Sequence, residues 1–248
     1  MTHVLVWSVA LCAVVVYATA AARTHAWPPL RTLCWSAGWC ALVAVLTRPG
    51  HDGHDFVAHM VEHVVVGMVV PLLLVLAAPM TLVLRTLPVT SARHVSRVLR
   101  SEPVAVLTHP VTAAILNIGG LWLLYRTSLF DRMQADTWVM WAVTFHVVTA
   151  GYLYTFSLVG VDPSPRRAVF GTRATVLVLS IAAHNVLAKT LYADPPAGVP
   201  VEQAELGAQV MYYAGMPVEL ALLVLLCHRW AARDRGPALS LGATGPRV

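Results

Sequence analysis

Four histidines and three acids crowd residues 51–67, HDGHDFVAHMVEHVVVG, where a long apolar run begins. His59 and His63 are four residues apart, so a helix sets them on one face. Asp55 lies one turn before His59 on the same stripe, and Glu62 lies three residues after it. Imidazole binds copper, zinc and haem iron, and buries more cheaply than a permanent charge. Titratable groups at the mouth of an apolar helix are costly and need partners or a task. Met60 and Met68 flank the pair, and thioether with imidazole suits Cu(I). His51 and His54, with Asp52 and Asp55, stand in the approach, where they could receive a cation.

Other chemistries fit this stretch less well. His59-Met60-Val61-Glu62-His63 places its acid beside the second histidine. A zinc protease needs glutamate next to the first, aimed at the metal-bound water. The chain has no glycine-rich phosphate loop and no nucleophile elbow. Its four cysteines, at 12, 34, 40 and 227, form no CxxC and read as helix packing residues.

The elements that must carry these groups are membrane helices. The 248 residues are 58% hydrophobic and only 12% charged, about half the charge of a soluble domain. The mean hydropathy is +0.68. Apolar runs of span length recur at about 3–22, 30–47, 56–84, 104–124, 138–159, 171–192 and 206–227. The expected fold is therefore all-α, a polytopic transmembrane helical bundle forming one domain over 1–248. Residues 228–248 read as a short basic tail. The first run has no basic residue before it and Arg23 after it, the reverse of a signal peptide. Pro71 and Pro79 should bend the third span. Gly160-Val161-Asp162-Pro163-Ser164-Pro165-Arg166-Arg167 reads as a turn.

Seven spans divide the basic residues unevenly. Thirteen of the seventeen fall on the side of the 1–2, 3–4 and 5–6 loops and the tail. The positive-inside rule then predicts the N-terminus outside and the C-terminus cytoplasmic. It also explains the net charge of +5 without nucleic acid. In this topology His59 and His63 lie in the outer part of the third span. His146 is eight residues into the fifth span, about 12 Å deep, and His184 lies at a matching depth in the sixth. Four histidines from three helices at one level suggest a shared metal site. Haem is an alternative, through two histidines on facing helices. Small-ion transport and a non-metal scaffold with hydrogen-bonded histidines also remain open. A retinal site would want a lysine in the last span, which has none.

The order of several short segments carries a more specific signal. These are His-Met-Val-Glu-His at 59–63, VVPLLLVLAAPMTL at 69–82, Thr-His-Pro at 108–110, and His146 followed by Gly151. Val-Gly-Val-Asp-Pro-Ser-Pro-Arg-Arg at 159–167, Ala-His at 183–184, Leu-Tyr at 191–192 and LGxxxMY at 206–212 follow. Together, over about 56–230, they resemble the polytopic cytochrome c oxidase assembly proteins of the CtaG type associated with caa3 oxidase. They do not resemble the similarly named copper chaperone with one helix and a soluble domain. The resemblance implies a non-enzymatic, multi-pass protein of the bacterial plasma membrane that helps assemble a haem–copper oxidase by supplying copper. Its implied partners are oxidase subunits or a copper chaperone. The residues to which it gives importance are His59, His63, His146 and His184, the expected metal ligands; His51, His54 and Met60 are weaker candidates from the residue pattern alone. The chain departs from the family pattern at the end of the fourth span. Leu124-Tyr125-Arg126-Thr127 stands there, where the family has a tryptophan–histidine pair.

Overall fold

The computed structural model describes residues 2–48, 55–164 and 166–234, apart from the side chains of 2, 3, 233 and 234. His51, Asp52 and His54 lie outside the described residues. The described chain is all helical. Six helices are long and apolar enough to cross a membrane, at Val4–Arg23, Pro29–Leu46, Phe56–Thr86, Thr137–Val159, Phe170–Ala193 and Val201–Ala232. Pro110–Arg126 with Leu129–Ala135 makes a seventh if this pair, bent by 78°, counts as one span.

Helices α1 (Thr2–Arg23) and α2 (Pro29–Leu46) form a hairpin at the side of the bundle, against the later part of the third span. The third span is made of several pieces. Helix α3 (Phe56–Val64) starts at Asp55, whose carboxylate accepts from the Ala58 N–H. Asp55 is thus a helix cap as well as an acid near the histidines. A π-helical turn, Val65–Val69, follows before α4 (Val70–Leu76). Pro71 has no N–H to give to the Gly67 carbonyl, so the regular ladder cannot continue there. Helix α11 (Thr137–Val159) crosses this point at Gly151. A Cβ on Gly151 would stand 2.5 Å from the Gly67 oxygen and 2.9 Å from Pro71 Cγ. Only glycine permits that approach.

The span breaks again at Ala78, which is buried and left-handed at φ 53°. The following Pro79 disfavours the right-handed region there. Helix α5 (Pro79–Thr86) then restarts, and its amide groups are capped by Asp162. Between the expected spans 56–84 and 104–124 the sequence leaves a connecting loop. The structure instead has two short helices, α6 (Val89–Leu99) and α7 (Glu102–Leu107). The arginines of α6 are exposed.

The fourth span is also interrupted. Helix α8 (Pro110–Ala114) leads into a second π turn, Ile115–Gly119, and then α9 (Gly120–Arg126). Helix α10 (Leu129–Ala135) occupies what read as a connecting loop. Helices α12 (Phe170–Ala193) and α13 (Val201–Asp234) complete the chain. α13 begins earlier and continues further than the expected span 206–227, because Pro200 leads directly into helix and residues 228–234 remain helical. Pro217 lies inside it.

Helix α13 packs along both α3 and α12. Two apolar clusters result. Phe56, Met60, Leu124, Phe130, Leu187, Leu191 and Met211 fill one end. Leu158, Leu177, Leu222 and Leu226 fill the other. The polar residues of the middle helices lie between them.

The turn after α11 is tied to its surroundings by charge. Gly160 ends the helix at φ 41°. Arg173 donates to the Leu158 carbonyl, and Arg229 donates to those of Val159 and Gly160. Cations at the C-terminal carbonyls of a helix are favourable. Arg173 and Arg229, counted above as topological charges, therefore also hold the bundle together.

Candidate functional site

Between the two apolar clusters is a small cavity whose mostly apolar lining includes several polar side chains. It is lined by His63, Gly67 and Met68 from the third span, and by Asn117 from the second π turn. Tyr154 and Thr155 come from α11, Ser180 and His184 from α12, and Glu219 from α13. Its free space is about 30 Å³, enough for a water or an ion. Both π turns reach it. A π turn adds one residue and re-aims the side chains beyond it, and Met68 and Asn117 lie within the two turns.

His63 and His184 face each other across this space. Their ring centroids are 5.9 Å apart and their planes are 31° apart. They are 7% and 3% exposed, so unpaired nitrogens are expensive here. Neither Nε2 has a hydrogen-bond partner among the described residues. His184 Nδ1 lies 3.0 Å from Glu219 Oε1. This approach is not an aligned hydrogen bond, since Nδ1 has no hydrogen-bond partner among the described residues. Glu219 is 7% exposed, and among the described residues the cavity lining holds no lysine or arginine.

The other expected residues go elsewhere. His59 Nε2 is 3.0 Å from the Tyr125 hydroxyl, and its ring packs edge-on against Phe130 and Tyr125. It belongs to the aromatic end of the bundle, one turn from the cavity. His146 is exposed, and its Nε2 lies 3.0 Å from the Leu116 carbonyl. Its depth matched that of His184, but its direction does not bring it to His63. Met60 is fully buried in the apolar cluster with Met133 and Met211. Glu62 turns to Arg48, with a closest approach of 4.0 Å. Among the described residues, no three His, Cys, Asp or Glu side chains are arranged to hold a metal ion. Of the four histidines that the sequence groups at one level, His63 and His184 meet at the cavity, and Asn117 and Ser180 join them there without having been expected. Glu219 too is brought to the site only by the fold, which sets it beside His184.

The fold and site define a multi-pass membrane protein with buried histidines and a carboxylate at its centre. Residues 13–233 match the family described as cytochrome c oxidase caa3 assembly factor, Caa3_CtaG, and the chain belongs to that family. Uncharacterised proteins of Mycobacterium bovis and Mycobacterium tuberculosis are each 30% identical over 238 residues. One of Mycobacterium leprae is 28% identical over 239 residues. These alignments cover 86–87% of this chain but 36% of each relative, so the chain spans about a third of their length. No solved structure matches.

Proposed function

We propose that this protein is a membrane-embedded, non-catalytic accessory factor for assembly of a haem–copper oxidase, and that it holds copper in transit at His63 and His184. The role follows from the family. Its partners would be oxidase subunits or a copper chaperone. The observation that carries the copper reading is the pair of buried Nε2 atoms, unpartnered among the described residues and facing one cavity. A buried imidazole without a hydrogen bond is costly, and a metal removes that cost. The skewed distribution of basic residues supports the extracytoplasmic side for the end of the bundle that bears His59.

Copper is favoured over haem by size. Space of about 30 Å³ admits an ion, and a porphyrin would require the helices to part. The decisive test is Cu(I) titration of the purified protein. Wild type is expected to bind close to one equivalent, and the H63A/H184A double variant none. Full binding by the double variant would remove this site from the proposal. Haem supplementation without a Soret band, in protein that takes copper, would separate the two cofactors.

A further inference from the structure

We propose that Met68 supplies a third, thioether donor beside His63 and His184, and that Glu219 is the positioning and charge-balancing residue of the same site. This rests on the copper reading above. Two histidines alone are a sparse ligand set, and no third His, Cys, Asp or Glu completes it among the described residues. A methionine sulfur is the remaining soft donor in the cavity lining.

The convergence is visible at Gly215 of α13. A Cβ on Gly215 would lie 3.1 Å from His184 Cε1 and 3.5 Å from Met68 Sδ. Imidazole and thioether therefore approach one point on α13, and the missing side chain keeps that point clear. Met68 reaches it from the π turn, Val65–Val69. His63 lines the same cavity as Met68 and His184.

Glu219 acts on the donor atoms through His184. Its carboxylate lies 3.0 Å from Nδ1, and with copper bound it would orient the ring by accepting from a protonated Nδ1. The Nε2 lone pair is then left for the metal. The charge balance also selects the ion. Among the described residues, Glu219 is the one acid lining the cavity, and no lysine or arginine joins it there. An ionised Glu219 would balance a monovalent cation, whereas a divalent ion would leave an unbalanced buried charge. Soft donors and a single negative charge both point to Cu(I) over Zn(II).

The experiment uses the full chain in detergent, loaded with Cu(I). It combines X-ray absorption at the copper edge with competition against a chromogenic Cu(I) chelator. Wild type should show nitrogen and sulfur in the first shell. M68L keeps the volume and removes the sulfur. It should retain copper through the histidines, with weaker affinity and no sulfur scatterer. E219Q should weaken Cu(I) binding by about tenfold or more. G215A, which crowds both donors, should also weaken it. An unchanged spectrum and affinity in M68L would overturn the thioether while leaving the histidine reading intact. Unchanged affinity in E219Q would overturn the role of Glu219. No copper on the wild-type protein would overturn the reading beneath both. A variant with a wild-type elution profile and melting temperature that loses sulfur supports the proposal, since a packing role alone would leave the copper spectrum unmoved.

Discussion

The Asp162 carboxylate reaches from the turn after α11 to Thr81, accepting from its backbone N–H and its hydroxyl, each at 2.6 Å. It also accepts from the Met80 N–H at 3.2 Å. One buried acid therefore caps a helix restart about eighty residues earlier in the chain, just after left-handed Ala78. Arg167 in turn donates to the Asp162 carbonyl. The Asp-Pro turn, conspicuous in the sequence, is a clamp on the broken third span. Removing it leaves polar donors buried. D162A is expected to cost about 3 kcal/mol, and T81A, which removes only the hydroxyl, about 1 kcal/mol. Thermal unfolding in detergent reads both, and equal small losses would show that the cap is not what holds α5.

The crossing of α11 over the first π turn predicts a steric effect. G151A places a methyl 2.5 Å from the Gly67 oxygen. Backbone cannot yield as a flexible side chain does, so α11 must move outward. The expected loss is about 2 kcal/mol. Because Gly67 and Met68 line the cavity, copper affinity should fall together with the melting temperature. A variant as stable as wild type would show that the helices slide apart freely.

His59 and His146 should behave unlike His63. His59 is held by Tyr125 and His146 by the Leu116 carbonyl, both away from the cavity. Y125F removes the partner of His59 and is expected to cost about 1 kcal/mol. Copper stoichiometry should stay at the wild-type level in Y125F and in H146A. Loss of copper in stable H146A protein would put that histidine back among the ligands.

An ion pair outside the spans sets a pH dependence. Glu102 of α7 accepts from Arg166 at 2.6 Å. That hydrogen bond, and then the guanidinium charge, hold the carboxyl below its ordinary 4.5. A lowered value means that the pair contributes stability above about 4.5 and loses it as pH falls through the lowered value. Both groups are exposed, so the contribution is small and salt-screened. The melting-temperature difference between wild type and E102Q should be small at neutral pH, and should vanish in acid and in high salt. A difference that grows in acid would reverse the assignment.

The sequence by itself determined the membrane-spanning helices, the turn after α11 and the family. Apolar length and composition are local properties, and a span must satisfy its own backbone in lipid. It also placed His63 and His184 at similar depths, because helical rise is constant. Depth is not direction, however, and His146 shows the difference. One residue added in a π turn rotates the chain beyond it by about 100°, and such turns occur at Val65–Val69 and Ile115–Gly119. They depend on packing, as at Gly151 against Gly67, as well as on local propensity. The tertiary structure therefore decided that His59 meets Tyr125, that Asp162 caps α5, and that Glu219 stands beside His184. Each is a contact between residues distant in sequence, fixed by how the elements that carry them are turned when they pack.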